Sequence, residues 1–296
     1  MEIVTKKLPP NHNIAMGSDL HEGTIFQHED GIDEFVDYVL STPNTWALIG
    51  GDLAECMAID DKRYDLKVMS KNQIPLNQYF SITKRLAPLK DKIIVCLFGN
   101  HDWELIRRIG NGVRDIFCRE LKVRYGSYTS KVIIKDRKDQ LMYKIYYTHG
   151  RKMVGSTADD PIRRDANMKL QLKRHLQHKA GDCLIMAKGH THKLIVSKPA
   201  KELYLTDDGE RITQRYTYDD LQRESYIDPN LRWYVNTGSF LKLYHEPIEQ
   251  EDEHGNKERL PISGYAEQGE YDPVELGFAV IEVRDRQVTD VKKIVL

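Results

Sequence analysis

Thiols are scarce and scattered in this chain. Its 296 residues include four cysteines, Cys56, Cys96, Cys118 and Cys183. No two form a C-x-x-C pair, so the sequence encodes neither a disulfide framework nor a thiolate metal knuckle. They read as reduced core residues of a cytoplasmic protein. Long apolar runs are also missing: none approaches the roughly 18 residues that a membrane helix needs. The opening "MEIVTKKLPPNHN" lacks the apolar core of a secretory signal, so no export and no membrane partner are expected. Charge of one sign is absent too. Lys plus Arg number 44 against 45 Asp plus Glu, a net of -1, which excludes a globally polycationic binder and leaves only local basic patches open. Internal repeats and low-complexity linkers do not occur.

What is present is an ordinary globular composition, 40% hydrophobic and 30% charged, long enough for one large core. A single domain over 1–296 is expected, with surface excursions near 199–231 and 246–272. Apolar runs alternate with helical patterns through the first two-thirds, which points to an α/β fold. Strands are expected at 13–18, 45–50, 92–98, 142–148 and 183–188. Helices are expected at 31–40, 75–89, 102–109 and 161–179, the last with Pro161 in its first turn. The stretch 232–244 returns to strand character, 246–272 reads as a loop, and "LGFAVIEV" with "VTDVKKIVL" reads as a closing strand pair.

Polar ligand types follow each of the five strands. "NIAMGS" is followed by Asp19 and His21, "TWALIG" by Gly51-Asp52, and "KIIVCLF" by Gly99-Asn100-His101-Asp102. "MYKIYYT" is followed by His149-Gly150, and "CLIMAK" by Gly189-His190-Thr191-His192. In open α/β sheets the carboxyl ends of the strands are where ligands bind. Imidazole, carboxylate and amide donors without thiolate suit manganese, iron, zinc or nickel. The neighbouring glycines let the backbone turn sharply and come close to the site. A set this rich can hold two ions bridged by a carboxylate, an arrangement suited to in-line displacement at phosphorus. Any one of these residues alone is ordinarily a turn residue or a cap. Their joint occurrence carries the reading.

The order D-x-H, G-D, G-N-H-D, H and G-H-T-H, from Asp19 to His192, resembles the calcineurin-like metallophosphoesterase family. The resemblance implies two packed mixed β-sheets flanked by helices, an αββα sandwich. It implies two divalent ions, manganese first and iron, zinc or nickel as alternatives. Asp19, His21 and His192 would hold one ion, Asn100, His149 and His190 the other, and Asp52 would bridge them. His101 would be the general acid toward the leaving group, with Asp102 orienting or acidifying it. A hydroxide bridging the ions would be the nucleophile, and the two aspartates with that hydroxide would leave a net charge of about +1 to attract phosphate.

G-N-H-D resembles the phosphodiesterase and nuclease branches, whereas the protein phosphatase branch usually shows G-N-H-E and an Arg soon after G-D. No such Arg stands in "GDLAECMAI". The pattern is also similar to phosphoesterases of phages and prophages, which would set the protein in a bacterial or phage-infected cell. The leading expectation is a phosphodiesterase acting on a nucleotide or nucleic acid. A phosphomonoesterase or protein phosphatase on the same centre comes second, and a non-catalytic metal-binding scaffold third.

Other residues carry plainer readings. Glu55 is set aside as structural. Asn236, in "VNTGS", is expected in a structural tight turn. Arg151 and Lys152, directly after His149, are candidates for contacts to a substrate phosphate. The basic residues of 161–179 are expected on solvent faces of an amphipathic helix, and Trp103 is expected to pack in the core. His12, His28, His175, His178, His245 and His254 are expected at the surface.

Overall fold

Burial on both faces explains why the strand sequences are continuous apolar runs rather than alternations. The computed structural model describes all residues except 58, 62, 63, 65, 67, 70–72, 109, 218–221, 223, 224 and 252–256. His254, residue 109 at the end of one expected helix, and parts of both expected excursions therefore lie outside the described residues.

One sheet contains β2 (His12–Gly17), β3 (Thr45–Ile49), β4 (Ile93–Cys96), β14 (Gly277–Arg284) and β15 (Gln287–Val295), in the order β15-β14-β2-β3-β4. Its β2, β3 and β4 are parallel, and β14 is antiparallel to β2 and to β15. The other sheet contains β1 (Glu2–Lys7), β5 (Thr129–Lys135), β6 (Leu141–Thr148), β7 (Ile185–Lys188), β8 (Leu194–Ser197) and β11 (Trp233–Thr237), in the order β1-β5-β6-β7-β11-β8. There β6, β7 and β11 are parallel.

Alternate side chains sort the layers. Ile14 and Met16 of β2, Tyr143, Ile145 and Tyr147 of β6, and Ala279 and Ile281 of β14 meet between the sheets. Ala15, Ala47, Phe278 and Val280 turn outward onto α1 (Glu29–Ser41) and α2 (Pro75–Leu86), where Phe35, Val36, Tyr79 and Ile82 cover them. On the far side, Tyr146 and Met186 pack under Leu172 and Leu176 of α5 (Pro161–Leu176). Each fully buried aliphatic side chain is worth about 1.5–3 kcal/mol, so this four-layer αββα packing fixes the register of every ligand-bearing strand end.

Capping residues start two of the helices. Asp160 accepts a hydrogen bond from Arg163 N at 2.7 Å ahead of Pro161. His28 Nδ1 accepts one from Gly31 N at 2.9 Å to start α1. The helix α3 (Asn100–Arg108) begins two residues before the expected 102. Asn100, His101 and Asp102 thus occupy its first turn. A π-helical turn at Val113–Cys118 runs into the short α4 (Arg119–Leu121).

Several expectations need correction. The edge strand β1 carries mixed charge, and β5 has only three consecutive apolar residues, Val132 to Ile134, between two lysines; neither shows the long apolar run used to find strands. Within 199–231, where the sequence reads as a hairpin or surface excursion, residues 203–207 and 212–216 do form an exposed hairpin, β9 (Leu203–Asp207) and β10 (Ile212–Tyr216). The stretch 246–272 is not simply a loop. It contains the hairpin β12 (Ile248–Glu251) and β13 (Lys257–Leu260) and the short α6 (Tyr265–Gln268). His12 is not at the surface but 1% exposed between the sheets. Trp103 stacks on Phe98 with ring centroids 5.8 Å apart, yet remains 37% exposed.

Candidate metal centre

The carboxyl ends of β2, β3 and β4 in one sheet and of β6 and β7 in the other open onto one place. The loop after β2 lies alongside the loop after β3: Asp19 N donates to Gly51 O at 2.9 Å, and Asp52 O accepts from both Leu20 N and His21 N, at 2.8 and 3.1 Å. Asp19, His21, Asp52, His190 and His192 all have positive φ, at 58°, 49°, 49°, 74° and 52°. Non-glycine residues avoid this region at a cost of about 1–3 kcal/mol each, so the fold holds five side chains against local preference to aim them inward. Gly99 shows how close the approach is: a Cβ there would fall 2.1 Å from Asp52 Oδ1.

Two ligand groups result. In the first, His192 Nε2 stands 3.2 Å from Asp19 Oδ1 and 3.3 Å from His21 Nε2. In the second, His149 Nε2 stands 3.1 Å from Asp52 Oδ2 and 3.0 Å from Asn100 Oδ1, with His190 completing the set beside Asp52 and His149.

The chemistry of these donors calls for cations. His149 Nδ1 donates to the Gly50 carbonyl at 2.9 Å and His21 Nδ1 bonds Glu55 Oε2 at 2.6 Å. When these rings are neutral, each Nε2 therefore presents a lone pair toward other lone pairs. Among the described residues Asp19 Oδ1 is buried with no hydrogen-bond partner, the Nε2 of His192 standing 3.2 Å away. Burial opposes ionisation of Asp19 and Asp52, yet the surrounding histidines hold both carboxyls below their ordinary range. Burial likewise opposes a charged His149, but Asp52 and Asp19 raise it to about 9. Buried carboxylates cost several kcal/mol each unless paired. Divalent cations between these atoms would supply that pairing, so the residues fit a metal pair.

Next to these groups lies the arrangement around His101. Its backbone N–H donates to Asp52 Oδ1 at 2.8 Å. Its Nδ1 donates to the Glu55 carbonyl at 2.8 Å, with Glu55 Oε1 at 3.6 Å. Glu55 is 3% exposed. Burial would protonate it, but His101 and His21 outweigh burial and keep it ionised. The expected pairing of Asp102 with His101 is corrected here. Asp102 Oδ2 accepts from Asp52 N and Gly99 N, both at 2.8 Å, and Oδ1 accepts from Tyr79 OH at 2.6 Å. Burial and the charge of Asp52 raise its carboxyl to about 6. Asp102 thus holds the backbone at Asp52, and Glu55 takes the place beside His101. The sequence signal for Glu55 was its spacing, one helical turn's worth of residues after Asp52 in "GDLAE". Nothing in the sequence marked Tyr79.

A mouth cavity of about 460 Å3 opens over Asp52, Asn100, His101, His190 and His192, with Met153 and Lys193 at its wall. Arg151 and Lys152 are exposed and do not line it. The Lys152 carbonyl is instead held by Lys188 Nζ. Asn236 sits at the end of β11 rather than in a turn, and its amide bonds Thr191 Oγ1 between the two histidines. Ser239 Oγ, two residues beyond Thr237, donates to Asp19 O at 3.2 Å. The "NTGS" segment therefore braces both ligand loops.

Among the described residues no helix is long and apolar enough to cross a membrane. Comparison with curated proteins finds no match to the chain. The family model for calcineurin-like phosphoesterases matches residues 12–204, more than half of the chain and a span that contains every candidate ligand and His101. With the αββα sandwich and the ligand groups at its strand ends, the chain belongs to the calcineurin-like phosphoesterase family and is a metal-dependent phosphoesterase.

Proposed function

We propose that the protein hydrolyses a phosphodiester, of a nucleotide or nucleic acid, with two divalent ions at this centre and His101 as the general acid. The observation that carries the reading is the position of Asp52. One of its oxygens is 3.1 Å from His149 and the other receives the His101 N–H at 2.8 Å, so a single carboxylate joins the ligand set to the acid. Asp19, His21 and His192 would hold one ion, and Asn100, His149 and His190 the second, with Asp52 shared. Manganese is the first choice for oxygen and imidazole donors of this kind. When bound, the ions supply Lewis-acid charge and lower the pKa of a water near the phosphorus.

The protein's own residues do the remainder. Asn100 and the histidines fix the position of the phosphoryl group. His101 delivers a proton to the departing oxygen, and Glu55 stabilises its imidazolium form while fixing the ring through its own carbonyl. Tyr79 and Asp102 hold the backbone of Asp52. Choice of a diester over a monoester is supported by charge. Lys193 is the single cation lining the mouth among the described residues, opposite Glu270 and Asp272. A monoanionic diester tolerates that wall better than a dianionic monoester. The lack of an Arg in "GDLAECMAI" supports the same choice.

The test is a substrate panel with manganese-loaded protein. Bis-p-nitrophenyl phosphate should be cleaved with a higher kcat/KM than p-nitrophenyl phosphate. A clear preference for the monoester, with diesters and DNA untouched, would move the protein to the monoesterase reading. No turnover with manganese, iron, zinc or nickel would leave a metal-binding scaffold.

A further inference from the structure

Beside the mouth lies a second cavity, of about 480 Å3, within the range of small-molecule sites. Two residues tie it to the metal centre. Glu55, which holds His21 and His101, lines it, and Leu243 lines both cavities. Its walls are apolar and soft, built from Phe26, Met57, Leu66, Met69 and Leu241. Thioether and aromatic side chains of this kind favour aromatic guests. Leu66, at the lip, is 59% exposed, an apolar side chain that a ligand would cover. Among the described lining residues Lys242 is the one cation, and the Glu55 carboxylate is engaged by His21. At the mouth, Glu270 and Asp272 would repel a second phosphate of a nucleic-acid strand.

We propose that this cavity is a subsite for one ester arm of the substrate, and that the arm is an uncharged aryl or heteroaryl group. The substrate is then a small diester rather than a nucleic-acid strand. The proposal rests on the phosphoesterase reading above and narrows it. An arm seated between Leu243 and Met57 keeps the phosphorus at the mouth, where the ligand side chains and His101 converge.

The experiment measures binding of methylphosphonate and phenylphosphonate, neither of which has an ester bond to cleave. Calorimetry on manganese-loaded protein gives affinities without turnover, and inhibition of bis-p-nitrophenyl phosphate hydrolysis gives a second measure. Phenylphosphonate should bind about tenfold or more tightly, the gain expected for burying an aromatic ring. Leu66→Asp, at an exposed position, should shrink that ratio to within about twofold of unity; Met57→Ser, deeper in the wall, should shrink it as well. Equal affinities in the wild-type protein, or a ratio that survives both substitutions, would overturn the subsite and leave the phosphoesterase intact. An oligonucleotide cleaved with a higher kcat/KM than the small diester would also overturn it. If neither phosphonate binds at all, the subsite and the reading beneath it fall together.

Discussion

His12 opens β2 and His149 follows the end of β6, and these two histidines, at opposite ends of the strands, behave in opposite ways. Before the apolar part of β2, His12 is fully satisfied: Nδ1 donates to Pro9 O and Nε2 accepts from Tyr143 OH, each at 2.7 Å. Beyond the end of β6, His149 satisfies one nitrogen on Gly50 and turns the other toward the oxygens of Asp52 and Asn100. Burial drives His12 down to about 4, with Arg284 adding to it against the Pro9 bond. Burial also opposes charge on His149, yet the carboxylates raise it to about 9. Both rings are equally hidden, so burial does not separate a structural histidine from a ligand. What separates them is whether the second nitrogen meets a donor or more lone pairs.

The largest effect should come from removing the shared carboxylate. Asp52→Ala takes one donor from each ligand group and leaves His149 facing a void. Metal content by mass spectrometry should fall for both ions, and kcat/KM by about 10^4 or more. A variant that keeps two ions would show that Asp52 does not join the groups. His101→Ala should retain both ions and slow unactivated diesters by about 10^2–10^4. Bis-p-nitrophenyl phosphate, whose leaving group needs little protonation, should slow far less. Equal losses on both substrate classes would remove the acid role from His101.

Tyr79→Phe probes the support behind the ligands. It deletes one hydroxyl that hydrogen-bonds Asp102 at 2.6 Å, and touches no ligand directly. Loss of that bond should loosen the Asp52 backbone and lower manganese affinity about tenfold, the lower end for residues that orient ligands. Isothermal titration reads this apart from stability: a thermal shift with unchanged affinity would make Tyr79 a packing residue only. Cys56 Sγ lies 3.3 Å from the same hydroxyl, so Cys56→Ala is the matched control.

The contrast between the ends also explains what was legible in the sequence. Ligand types past apolar runs stood out because parallel strands deliver their carboxyl ends to one edge and the runs are long enough to see. "GNHD" and "GHTH" needed no tertiary information. The supporting residues did not stand out, because their partners are far away in the chain. Tyr79 of α2 meets Asp102 in the first turn of α3, and Asn236 meets Thr191 from the end of β11. Asp102 misled for a related reason. Adjacent to His101 in sequence, it occupies the first turn of α3, where its carboxylate turns back to Gly99 N and Asp52 N rather than to its neighbour. His12 carries no ligand pattern, so the sequence alone points it to the surface; its burial beside Tyr143, 131 residues away, is a tertiary fact.

His12 supplies the smallest and sharpest test of the comparison. Its folded-state pKa, about 4, lies below the ordinary 6.5, so the unfolded chain takes up its proton first. The stabilisation of neutral His12 is therefore complete above pH 6.5 and is lost as pH falls from 6.5 through about 4. The loss is at most about 1.4 kcal/mol per pH unit. His12→Gln removes the titration but can still donate to Pro9. At pH 7 it should cost about 1–2 kcal/mol for the unmatched Tyr143 hydroxyl. Urea unfolding of metal-free wild-type and His12→Gln protein at pH 7 and pH 5 isolates the effect, because all other titrating groups cancel in the difference. The stability gap between the two proteins should narrow at pH 5. A gap that stays constant would mean that His12 binds its proton as readily folded as unfolded, and that burial at this end of the sheets does not exclude charge.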